Sequence, residues 1–129
     1  MFRLWMTLTG VLGAVGVALA AWSSHGLAHI VAPADLPIAL ERARTASLFH
    51  LLHTLALFGV ALGSRPAGSF WLNVAGVLFV IGIAGFAGGI YGLRIMAGIA
   101  SGPWLNVVPF GGVCLILGWL AVALAAWRR

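Results

Sequence analysis

Apolar residues fall into four blocks along the chain, separated by short stretches where polar residues, glycine and proline gather. The blocks run over about residues 4–22, 47–62, 70–96 and 104–127. The first and fourth are close to the roughly 20 residues that cross about 30 Å of hydrocarbon at 1.5 Å per residue; the second is short, and the third is long enough to tilt. The pattern therefore predicts four membrane-spanning helices. Arg3 ahead of the first block, with Ala18-Leu19-Ala20 near its end, also has the shape of a signal peptide. A secretory apolar region is usually about 7–15 residues, shorter than this block, so the first block is expected to remain as a span.

The breaks are informative in turn. Residues 23–46 hold Ser23, Ser24, His25, His29, Pro33, Asp35, Glu41, Arg42 and Arg44. Asp35 is placed to cap a helix, with Pro37 in its first turn, where a missing N–H costs little. Leu36, Leu40 and Ala43 recur at helical spacing. This segment is either a short helix lying at the interface or the beginning of one long helix that runs into the second span. Residues 63–69 and 100–103 are turns rich in glycine, serine and proline. Trp5, Trp22, Trp71, Trp104 and Trp127 sit near span ends, at the level that indoles prefer. Trp119 is the exception, in the middle of the fourth block.

Composition agrees. Hydrophobic residues make up 63% of the 129 and charged residues 7%, against about a quarter charged in soluble domains. A water-soluble fold would expose this excess and aggregate. The seven cations are all arginine and are scattered at block edges, not clustered as nucleic-acid binding requires. Four spans put both termini on one side, together with Arg3, Arg65, Arg128 and Arg129; Arg42, Arg44 and Arg94 lie on the other. Four against three favours cytoplasmic termini, in a bacterial inner (plasma) membrane. Cys114, the single cysteine, lies within the fourth block and is read as a small packed residue.

Helices in lipid associate where small residues let backbones approach. Gly82, Gly85, Gly89 and Gly92 share one face of the third span, and Gly111, Cys114 and Gly118 one face of the fourth. Gly10, Gly13, Ala14 and Val17 form a similar stripe on the first. These seams are expected to pack within the chain, with docking to another membrane subunit or a second copy as the alternative.

Polar residues inside the blocks are few. His50 and His53 share a face of the second span, and His25 follows the first. Polar groups at membrane depth are costly and tend to have a purpose. His25, His50 and His53, with Glu41, form the candidate cluster. Its simplest role is to tie helix ends through backbone carbonyls; the alternatives are a quinone-type or other lipophilic ligand, a haem, or a metal. Tyr91 and Arg94 read as an interface anchor pair. Asn106, Pro109 and Gly111-Gly112 open the fourth span, where a broken helix is the functional alternative to a plain start. Two acids in the whole chain argue against carboxylate-pair catalysis. No catalytic set, metal or resident cofactor is expected.

Four segments resemble a known family in the same order. Ser24-His25-Gly26-Leu27 is similar to an A-H-G-L signature, and Phe49 to Leu57 to a Y-x-x-x-H-x-L-A-L segment with His53 on its histidine. Gly85 to Tyr91 resembles F-S-G-S-L-Y, and Val108-Pro109-Phe110-Gly111-Gly112 with Gly118-Trp119 resembles T-P-x-G-G…G-W. The family is the small four-span group called domain of unknown function 423, which includes animal transmembrane protein 256. Ser24, Val108 and the additional His50 depart from its pattern. The resemblance implies four membrane helices and favours His25 and His53 as site residues. It implies no activity. The expectation is thus an all-α, integral membrane four-helix bundle with a short interfacial helix between the first two spans. It is expected to act as a non-enzymatic accessory or scaffold subunit in contact with the lipid bilayer, other membrane subunits or its own copies, and not with nucleic acid.

Overall fold

Hydrocarbon offers a backbone N–H no partner, so a chain of this composition satisfies its peptide groups within helices. The computed structural model describes residues 1–65 and 68–127 and shows that outcome. Helix α1 is Phe2–Gly26, α2 is Leu36–Gly63, α3 is Phe70–Gly89 and α4 is Val107–Trp127. A 3₁₀ turn, Leu27–His29, follows α1, and another, Pro103–Asn106, leads into α4. A π-helical segment, Ile90–Met96, extends α3. With these extensions, four helical stretches of 25 to 28 residues are long and apolar enough to cross a membrane. The protein is an all-α membrane helical bundle.

Residues 36–46 are the opening turns of α2, continuous with the second span; between the first two spans the short helical element is the Leu27–His29 turn. Asp35 occupies the N-cap position of α2 but its side chain makes no capping bond. Its backbone is helical (φ −95°, ψ −11°), whereas a capping side chain normally projects from an extended residue. Ser69 is extended (φ −134°, ψ 130°) and its hydroxyl accepts from the Leu72 N–H of α3. Helix α4 is unbroken, with Pro109 tolerated in its first turn. The turn at 63–69 includes Pro66 and Ala67, and the chain end includes Arg128 and Arg129; these four lie outside the described residues.

The helices pack in an antiparallel succession. Contacts between α1 and α2 pair Gly13 with Thr54 and Gly16 with Leu51. Contacts between α3 and α4 pair Gly82 with Leu115, Gly85 with Gly111 and Gly89 with Val108. In both pairs one number rises as the other falls. Helix α3 is central, its most apolar window 56% buried; the corresponding figure for α1 is 11%. The main core gathers Leu57, Val60, Phe79, Ile83 and Leu115, and Trp5 joins it from α1. A second cluster near the opposite end includes Leu27, Ala43, Ala46, Ala87 and Tyr91.

Glycine decides how closely α3 and α4 approach. A Cβ on Gly111 would lie 2.6 Å from the Gly85 carbonyl carbon, and one on Gly85 would lie 3.1 Å from the Val107 oxygen. Only backbone fits there. Gly82 and Gly89 are occluded by Leu115 and Val108, and Gly118 by the Phe79 ring. Gly92 departs from this line: nothing lies within 4 Å of the corresponding position. The helix changes from α to π after Gly89, and the i→i+5 bonding of a π segment puts more residues in each turn. The α-helical spacing that aligned Gly92 with Gly82, Gly85 and Gly89 no longer holds there.

Candidate functional site

Two of the four histidines enter the bundle. His50 and His53 are buried, whereas His25, His29 and Glu41 are exposed. His50 Nε2 lies 2.9 Å from the Leu12 carbonyl of α1. His25 follows Leu12 by thirteen residues, about 20 Å along a helix. Glu41 precedes His50 by nine residues on α2, about 14 Å. The structure therefore brings His50 and His53 into the interior and leaves His25 and Glu41 at one end. Among the described residues, no three histidine, cysteine or acidic side chains gather as metal ligands.

The two interior histidines face different partners. His50 ties α2 to α1. His53 turns toward α4, where its Nε2 accepts from the Trp119 indole N–H at 3.1 Å. Its Nδ1 lies 2.7 Å from the Phe49 carbonyl one turn earlier. Both contacts are satisfied together by a neutral ring with its proton on Nδ1. Neither nitrogen can bind a metal without giving up a bond. Around this pair the rings interlock: Phe49 stacks on His53 at 5.8 Å, and Phe79 of α3 lies 5.7 Å from His53 and 5.4 Å from Trp119. Phe86, also on α3, lies 4.7 Å from Phe49. Gly118 makes room for Phe79, so the small residue and the tryptophan after it act as one unit. Three helices thus meet at mid-span on one imidazole.

Other polar residues do comparable work. Tyr91 is buried, not an interface anchor. Its hydroxyl donates to the Ala43 carbonyl of α2 at 3.2 Å and makes a short contact with the Ser47 hydroxyl. Trp5 is also interior, its indole N–H 2.9 Å from the Asn73 side-chain oxygen on α3. A Cβ on Gly76 would meet the Trp5 ring at 2.8 Å. Sequence reasoning missed these ties because a tryptophan near a span end reads as a belt residue. Trp119 offered the better signal, since an indole at mid-span needs a partner for its N–H. Arg94 stays at the α3 end and donates to the Ala100 carbonyl at 3.2 Å.

Residues 19–112 match the family described as protein of unknown function DUF423. The chain belongs to that family. A UPF0382 membrane protein of Haemophilus influenzae is 31% identical over 96% of this chain and 94% of its own length. The UPF0382 inner membrane protein YgdD of Escherichia coli K12 is 26% identical over 98% of this chain and 91% of its own. YwdK, a UPF0382 membrane protein of Bacillus subtilis, is 31% identical over 90% of this chain and 93% of its own. No solved structure matches. In this DUF423 chain, three of the four resembling segments meet around His53: Phe49 to Leu57 supplies the imidazole, Gly85 to Tyr91 supplies Phe86, and the α4 segment supplies Trp119. The fourth, Ser24 to Leu27, buries Leu27 in the second core cluster.

Proposed function

We propose that this protein is a non-enzymatic accessory or scaffold subunit of a bacterial inner membrane, which offers α1 to a helix of another subunit. The observation that carries this reading is the outer face of α1. Trp5, Leu12 and Gly16 face the bundle. On the opposite side Thr7, Gly10, Ala14, Ala18 and Ala21 are exposed, at spacings of three or four that align them on one stripe. Nothing lies within 4 Å of a Cβ on Gly10. Val11 and Val17 are exposed beside this stripe, and the exposed face of α4 is bulkier, with Phe110, Ile116, Leu120 and Leu124. Bulky side chains suit lipid, and small ones suit a second backbone. The interior histidines support a structural role, since their bonds join helices.

The test is native electrophoresis of the tagged protein, extracted from its own membranes in a mild detergent. The wild-type chain should migrate within a larger assembly. Ala14→Leu and Ala18→Leu should release it completely while leaving its thermal unfolding unchanged, because both side chains point away from the bundle. Migration of the wild-type chain on its own in every mild detergent refutes the subunit reading.

A further inference from the structure

At the end of the bundle away from the termini, the α1–α2 connection and the α3–α4 connection enclose a cavity of about 440 Å³. Arg42 of α2 and Arg94 of the π segment both line it. Arg94 is held there by its bond to the Ala100 carbonyl, and Gly98, at φ +62°, turns the connection back so that residues 98–100 form the cavity wall. A guanidinium carries five N–H donors. Arg94 uses one in the described structure, and Arg42 none with a described residue. Asp35 is the one carboxylate in the lining, and it forms no ion pair with either arginine among the described residues. The cavity therefore has an excess of positive charge and unused donors.

Its remaining wall is apolar, including Ile30, Ile38, Ile95 and Ile99. Its depth is marked by tryptophans. Trp22 lies in the last turns of α1 at this end, partly buried against the second core cluster, and Trp104 stands 74% exposed on the turn just after the cavity wall. Indoles settle at the head-group level, so this cavity opens where lipid phosphates lie. An arginine fork matches phosphate oxygens, and two forks can grip one group. We infer that this cavity binds the phosphate of an anionic phospholipid, with the arginines on the phosphate and the isoleucines against the glycerol and first acyl carbons. A zwitterionic lipid brings a cation into the same net positive space and binds less well.

Native mass spectrometry of the detergent-purified full chain, titrated with equal amounts of phosphatidylglycerol and phosphatidylcholine, tests this. Wild-type protein should retain phosphatidylglycerol preferentially. Arg42→Gln and Arg94→Gln should each weaken its retention about ten-fold. Arg44→Gln, which removes an exposed charge at the same end outside the cavity, should leave it unchanged. Asp35→Asn should tighten binding about three-fold by removing the opposing charge, a gain that misfolding cannot imitate. Inorganic phosphate is the second probe. If it binds with the same arginine dependence and phosphatidylglycerol does not, the lipid assignment falls. Equal loss in the Arg44 variant, or no loss in the Arg42 and Arg94 variants, overturns the site altogether.

Discussion

At the residue scale, the decisive group is the His53 imidazole. Polar bonds between membrane helices average about 0.6 kcal/mol and reach about 1.7 kcal/mol, so the His53–Trp119 bond is a modest but specific tie. A double-mutant cycle with His53→Leu and Trp119→Phe, followed by unfolding in detergent, should return a coupling of about 0.6–1.7 kcal/mol. Additive losses would show that the bond contributes nothing. The residue types were legible in the sequence, since His53 and Trp119 stand out among apolar neighbours. Their pairing was not legible, because the two residues are 66 apart and spacing carries no information on contact across helices. His25 illustrates the converse. Its proximity in sequence to the second span suggested a shared site, yet α1 continues to Gly26 and carries it away from His50.

At the element scale, α3 and α4 meet through backbone, and this makes a sharp contrast testable. Gly111→Ala places a methyl group against the Gly85 carbonyl carbon and the Phe86 amide, and should destabilise the protein by about 1–3 kcal/mol. Gly92→Ala meets open space and should change stability by no more than about 1 kcal/mol, in either direction. Thermal unfolding in detergent measures both, and equal effects would remove Gly111 from its role. Helical spacing was enough to find Gly82, Gly85 and Gly89 as one seam. It failed at Gly92 because the period itself changes where the π segment begins, and no residue type announces that change. The same limit applies to Asp35: its suitability as a cap was visible, but the helical backbone that turns its carboxylate away was not.

At the scale of the whole molecule, the succession of α1 to α4 places the α1 start, the α2 end, the α3 start and the α4 end together. Four spans were legible from block length alone, since the bilayer sets that length. Sidedness rests on the thinner margin of arginines. Arg3 and Arg65 lie at the end with the termini, where the Arg65 guanidinium sits 3.6 Å from the Phe2 ring centroid. Fusions of a cytoplasm-dependent fluorescent reporter to each terminus should both be bright, and alkaline phosphatase at the same places should be inactive. Opposite signals from the two ends would contradict the even number of spans.

Biogenesis inherits a timing problem from the mid-span imidazole. A ribosome adding about 5–20 residues per second makes His53 roughly 3–13 s before Trp119, 66 residues later. During that interval the nascent chain holds an acceptor nitrogen among lipid tails with no indole to answer it. Insertion of the last segment ends the exposure, so a chain interrupted before that segment keeps the imidazole nitrogen without its indole partner.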